Sequence, residues 1–195
     1  MPIEQSKSQD IVQAGMVANK QTSESVGAGG VFTVECVGAD GTVKWIDTFH
    51  NLVVNQGLQY MNATTFSGSG YTAAWYLGLC QGAGSGNTFS AAQTLASHGA
   101  NGSSGWTESN AYAGARKAVT FGTATTANPS VITNSASPSS FVMNATFTIS
   151  GAFLTNVDSG TSGVLFSAGN FVAGDKFVDS GDTLNVTYTF SLDAV

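Results

Sequence analysis

Leu184-Asn185-Val186-Thr187-Tyr188-Thr189-Phe190-Ser191-Leu192 sets five large apolar residues in strict alternation with Asn, Thr and Ser. A strand sends successive side chains to opposite faces, whereas a helix would scatter these residues around its surface. The stretch therefore reads as a β-strand with one buried face and one neutral polar face. Phe141-Val142-Met143-Asn144-Ala145-Thr146-Phe147-Thr148-Ile149 repeats the pattern, with Phe141, Met143, Ala145, Phe147 and Ile149 on one side. Phe147 and Phe190 are both expected to point into the core.

Other strands follow from the same reading. Val31–Val37 and Thr42–Asp47 flank Gly38-Ala39-Asp40-Gly41, which predicts a hairpin. Ala73–Cys80 is a continuous apolar run too short for a typical buried helix, so it predicts a strand covered on both faces. Ala115–Phe121, Ser130–Asn134, Ala152–Leu154 and Gly163–Ser167 are further candidates, and Asp179-Ser180-Gly181-Asp182 is the turn before the last strand. Asn55 is placed to cap a short helix with Leu58 and Met61 facing inward. Eight to nine short strands with Gly-rich connections predict an all-β fold. The expected form is an antiparallel, jelly-roll-like β-sandwich over residues 31–195, with at most one short helix. Residues 1–30 hold no aromatic side chain and end in Gly27-Ala28-Gly29-Gly30. They read as an extended N-terminal arm laid across a neighbour, with Ile11, Val12 and Met16 on one side of a short segment that Gly15 weakens as helix.

Composition narrows the function. Only 9% of the residues are charged, against roughly 25% in an ordinary soluble domain. The polar remainder is hydroxyl, amide and glycine. Neutral groups cost less to desolvate than charges, so such a surface suits an assembly subunit whose faces become covered. The net charge of −6 and the absence of any basic run longer than two argue against nucleic acid. No apolar run reaches the roughly 18 residues of a membrane span, and Met1–Val12 lacks the charged-then-apolar layout of a secretory signal. Synthesis in the cytoplasm, with no membrane partner, is the expectation. Cys36 and Cys80 both lie in apolar runs and read as buried free thiols.

Little in the sequence points to catalysis. The two histidines, His50 and His98, sit in a strand-like run and a Gly/Ser loop, and no GxSxG elbow occurs. There is no HExxH, paired CxxC or calcium-loop pattern, and Asp175, Asp179 and Asp182 read as turn-capping carboxylates. No catalytic residue, metal ligand or cofactor is expected. Trp106 and Tyr112, with Glu108 and Asn110 nearby, are the candidates for carbohydrate contact in the 81–114 loop. The favoured role for Trp106 is to anchor that loop to the sandwich or to a neighbouring subunit. The candidate interface residues are Ile11, Val12, Met16, Trp106 and Tyr112, with Arg116 and Lys117 as a local basic spot.

Asn51–Leu58, Trp75–Leu79, Thr94–His98 and Gly105–Glu108, followed by Ser135–Pro138, Gly151–Leu154, Gly181–Leu184 and Val186–Phe190, together resemble a set of tailed-bacteriophage virion proteins. The resemblance covers roughly residues 48–194 and rests on several motifs in one order. It implies a small β-sandwich structural subunit, and it transfers no catalytic residue. The expectation that follows is a capsid decoration (cement) protein on the virion surface, made in the host cytoplasm. Its partners would be the major capsid protein, other virion proteins and itself, a trimer being the first choice. The alternative is a neck, tail or fibre component, with glycan recognition through the 81–114 loop.

Overall fold

A computed structural model describes residues 25–71, 74–82, 89–97 and 106–194. Eleven strands and one helix follow along the described chain: β1 (Val26–Val37), β2 (Val43–His50), β3 (Leu52–Val53), α1 (Asn55–Phe66), β4 (Tyr76–Gln81), β5 (Lys117–Ala118), β6 (Ser130–Thr133), β7 (Ser139–Val142), β8 (Phe147–Thr155), β9 (Leu165–Asn170), β10 (Lys176–Val178) and β11 (Thr183–Ala194). Two antiparallel sheets form. The first has the order β2-β1-β11-β6, with β7 also on β11; the second runs β3-β9-β8-β4-β5, with β10 also on β8. The fold is the expected all-β antiparallel sandwich with a single helix.

The alternating stretch behaves as its pattern demands. Leu184, Val186 and Tyr188 are fully buried, and Asn185, Thr187 and Thr189 face outward. β11 pairs with β1 over twelve positions, from Val26↔Ala194 to Val37↔Thr183. Phe32, Val34 and Cys36 of β1 therefore join Tyr188, Val186 and Leu184 in one core with Leu77 and Leu79 of β4 and Ile149, Ala152 and Leu154 of β8. The first sheet starts earlier than expected. Val26–Gly30, read from sequence as the end of the arm, belongs to β1. Gly30 pairs with Phe190 of β11, and it is glycine because a Cβ there would press on Asn51 Oδ1 and the Tyr188 hydroxyl, both 2.5 Å away. The missing side chain leaves room for a polar cluster in which Asn51 and Ser167 donate to Tyr188.

The second sheet is covered on both faces, as the Ala73–Cys80 run predicts. Leu77 and Leu79 face the inner core. On the other face Cys80, Phe153, Leu165 and Ala168 meet Val54, Leu95 and Trp106 in a second cluster. Gly78 lies under the Phe153 ring, and a Cβ there would overlap it. The ring in turn meets Trp106 edge-on at 5.0 Å.

Four expectations are corrected. Phe141–Ile149 is not one strand: β7 lies in the first sheet and β8 in the second, and the chain crosses between them where Met143 N–H donates to Asp182 O. The inward alternation survives the crossing, with Phe141, Met143 and Ile149 buried, but Phe147 and Phe190 are only half-buried. Asn55 does not cap α1; Val54 stands there without a side-chain cap, and Asn55 N–H bonds Ala91 O. The residue α1 buries is Gly57, against the β9 backbone, while Leu58 is exposed.

These contacts yield a stability series. Phe153→Ala removes a ring shared between sheet and covering loop and is expected to cost about 3–5 kcal/mol. Gly78→Ala forces a methyl into that ring and is expected to cost about 1–3 kcal/mol. Thr187→Ala, on the outer face, should stay within about 0.5 kcal/mol of wild type. Chemical-denaturation midpoints measure all three, and a Thr187 loss equal to that of Phe153 would invert the assigned faces.

Candidate functional site

The cluster at residues 106–117 is held within the subunit. Trp106 is buried between Phe153 and Phe89. Tyr112 is buried too, edge-on to Phe141 at 4.9 Å, and burial first, with Glu108 second, pushes its hydroxyl pKa well up. The Arg116 guanidinium is buried over the Phe153 ring at 5.2 Å. It makes two 2.7 Å bonds to Glu108 and donates to Val157 O and Gly160 O. Lys117 Nζ donates to Ala113 O and stands over Tyr112 at 5.7 Å. Trp106 thus anchors the loop to its own sandwich, one of the two anchorages expected for it, and Tyr112 and Arg116 are buried in the same fastening. A cleft of about 370 Å³ remains beside them, lined by Glu108, Asn110, Arg116 and Asp158 among others. Both aromatic rings proposed for carbohydrate stacking there are buried. Ile11, Val12, Met16 and His98 lie outside the described residues.

The acidic turn before β11 is a clamp. Lys44 Nζ lies 2.9 Å from carboxylate oxygens of both Asp179 and Asp182. Asp182 also accepts from Asp179 N–H and from the Cys36 thiol. Burial works to raise the Asp182 carboxyl, but the Asp179 amide and Lys44 outweigh it and hold its pKa below the ordinary value. Burial, aided by Asp182, pushes the Cys36 thiol up to about 12. Cys36 and Cys80 are both free and buried. Among the described residues no group of three or more His, Cys, Asp or Glu is arranged to hold a metal ion, and no helix is long and apolar enough to cross a membrane.

Two open surfaces remain. One is the outer face of the first sheet, where side chains directly opposite in register form rows. His50, Val31, Thr189 and Thr133 make one row; Thr48, Thr33 and Thr187 the next; then Ile46, Glu35, Asn185 and Ser140; then Val43, Val37, Thr183 and Val142. Hydroxyls bond across strands, Thr33 to Thr48 at 3.1 Å and Thr189 to Thr133 at 3.0 Å. Glu35 is the single carboxylate in these rows, and it accepts from Asn185. Ile46, Val43 and Val142 are more than half exposed. The other surface is a groove of about 500 Å³ beside α1, lined by Tyr60, Tyr71, Trp75, Phe121, Ile132 and Phe190 among others, with no charged side chain.

Comparison of the chain with protein-family models, with curated proteins and with solved structures finds no match in any of the three.

The two fastenings predict separate outcomes. Arg116→Ala leaves Glu108 without its guanidinium partner and is expected to cost about 3–5 kcal/mol, read as a lowered denaturation midpoint. The clamp sets an acid limb. The folded Asp182 pKa lies below that of the unfolded chain, about 3.9. Its stabilisation is thus complete above about pH 4 and is lost as pH falls through the folded value. Melting temperatures from pH 7 to pH 2.5 should fall less steeply in Asp182→Asn than in wild type. Parallel curves would show that the clamp does not titrate with folding.

Proposed function

We propose that this chain is a structural subunit of a tailed-bacteriophage virion, a decoration protein that binds the outer shell of the head and ties neighbouring capsid subunits together. The motif resemblance supports the virion setting. The observation that carries the binding role is the outer face of the first sheet, with its rows of threonine, valine and serine around one carboxylate. The rows span seven residues of β1 and up to four strands, about 450 Å² in projection at ordinary strand spacing and rise. That is somewhat more than half of the roughly 800 Å² per partner of a standard interface. Desolvating it costs little, because its hydroxyls already bond one another and few charges must leave water.

The basic residues support the same reading. Lys44 is held by Asp179 and Asp182, Arg116 by Glu108, Lys176 by Asp47 at 3.2 Å, and Lys117 by Ala113 O. Each basic side chain among the described residues is thus engaged inside its own subunit. Association then proceeds through apolar contact and neutral hydrogen bonds. A protein that binds only the assembled shell stabilises it by mass action.

Particles carrying the chain, washed across a NaCl series, should keep it past 0.5 M, because few screened charge pairs contribute. Thr33→Lys with Thr187→Lys, two outward substitutions that leave the core intact, should release it and leave its melting temperature nearly unchanged. Steep release by salt alone, or full retention of the double variant, would overturn the assignment of this face. Copy number per particle, hundreds against tens, separates decoration from a neck, tail or fibre role.

A further inference from the structure

The groove beside α1 is an open concavity half of whose lining residues carry aromatic rings. Trp75 and Tyr60 meet edge-on at 5.5 Å on one side, and Phe121, Ile132 and Phe190 form the other. Its floor reaches core residues, among them Leu154 and Tyr188. A volume of about 500 Å³ falls within the roughly 300–1,000 Å³ of sites that bury a ligand. Its rim carries Tyr71, 67% exposed. An occupant of matching chemistry is uncharged and apolar.

The chain itself supplies such a segment. Ile11-Val12-Gln13-Ala14-Gly15-Met16-Val17-Ala18-Asn19 lies between Asp10 and Lys20 and carries no charge. It is outside the described residues, which begin at Ser25, so its sequence and its point of attachment are what bear on its destination. Phe190, in the groove wall, pairs with Gly30 on one side and Ile132 on the other. From Gly30 back to Val26 the strand runs four residues farther along β11, away from that wall, to the Val26↔Ala194 pair. That is about 13 Å. Val26 is 74% exposed, and the last three residues of β11 in register with this end are exposed as well. The described chain thus begins at the end of β1 farthest from the groove wall, at an exposed residue. Nine Cα-to-Cα steps separate Val17 from Val26, a reach of about 30 Å when extended, enough to cross to an adjacent copy.

We propose that the apolar run Ile11–Val17 of one copy occupies the aromatic groove of a second copy. The contact joins two different surfaces, so it is heterologous and closes as a ring when the rotation permits. It rests on the assembly reading only in requiring that copies meet, and it places self-association at the groove while the outer face of the first sheet stays free for the shell. The arm then acts by effective concentration, each docked arm raising the chance that the next copy stays.

The experiment uses purified full-length chain with no particle present, so its failure and that of shell binding are distinguishable. An arm variant, Ile11→Lys with Met16→Lys, alters residues outside the sandwich. A groove variant, Thr65→Lys with Tyr71→Ala, alters two exposed positions. Light scattering after size exclusion should show wild type as an oligomer of the 19.9 kDa chain and each variant alone as a monomer. Mixing the two variants should restore a dimer, since one copy still offers an arm and the other a groove. A fluorescent peptide of residues 8–21 should bind the arm variant, quench or shift its tryptophan emission, and bind a chain carrying both sets of changes at least tenfold more weakly. Monomeric wild type overturns the proposal, including the case in which the groove is filled by the chain's own arm. So does a failure of the mixture to associate, or peptide affinity unchanged by the groove substitutions. Cooperative unfolding and wild-type far-ultraviolet circular dichroism in both variants show that loss of association is not loss of fold, with melting temperatures lowered by no more than the lost association accounts for.

Discussion

The second sheet has to be buried on both faces, and much of the molecule is arranged to meet that requirement. A sheet that exposes one face can alternate apolar and polar residues along each strand. β4 and β8 cannot, because Leu77, Leu79, Ala152 and Leu154 enter the inner core while Cys80 and Phe153 point the other way. The first sheet covers one side. The other is covered by irregular chain, with Leu95 and Trp106 laid over Phe153. Irregular chain has backbone polar groups to satisfy, and the Ser109 N–H to Leu79 O and Gln81 N–H to Thr107 O bonds do so along the sheet. The buried Arg116–Glu108 pair then locks this cover to the 157–160 loop. An ion pair in that position adds little net stability but is costly to break, so it fixes one arrangement of a loop that sequence alone leaves open.

How much was legible follows from the kind of signal involved. β1, β2 and β11 were readable because their alternation reports directly on one buried face. β4 was readable because an unbroken apolar run has only a doubly covered strand to go to. The crossing between β7 and β8 was hidden, because inward alternation continues through it, and a period-two pattern does not reveal that a strand has changed sheets. β10 has three residues, too few for a period. The glycines before Val31 looked like a linker, yet Gly30 is strand through its pairing with Phe190 and is glycine because of Tyr188, 158 positions away in the chain. Trp106 in a polar, Gly-rich stretch gave an ambiguous signal, and only the position of Phe153 decides its direction. On the candidate surfaces, Thr187 and Thr189 were correctly outward, but that they align with Thr33, Thr48 and Thr133 into one face depends on register, which composition cannot supply.

Low charge has a structural consequence beyond solubility. With so few ionic groups, the chain uses them at the places where elements from distant parts of the sequence must be held together. Lys44 joins β2 to the turn before β11, Lys176 joins β10 to Asp47 of β2, and Arg116 joins the covering loop to the turn after β8. The outer face of the first sheet is left largely to hydroxyls and aliphatic groups. A surface of this kind offers little electrostatic steering to any partner, and contacts made through it would depend only weakly on salt.

A neutral sheet face raises the question of why such chains do not pair edge to edge instead. The first sheet blunts both of its edges. On one side β2 carries a bulge opposite Cys36 and Val37, which bends the ladder, and Lys44 stands in the irregular stretch. On the other side β6 and β7 are only four residues each and meet β11 at separate places, leaving no continuous row of free N–H and C=O groups. Bulges, short edges and lysine are the devices that suppress strand addition. Edge pairing is indiscriminate, because every strand offers the same backbone groups. Face packing is selective, because the rows of Thr, Val and Ile must match a partner's shape. The first sheet thus hinders the indiscriminate contact while its outer face remains open to the selective one.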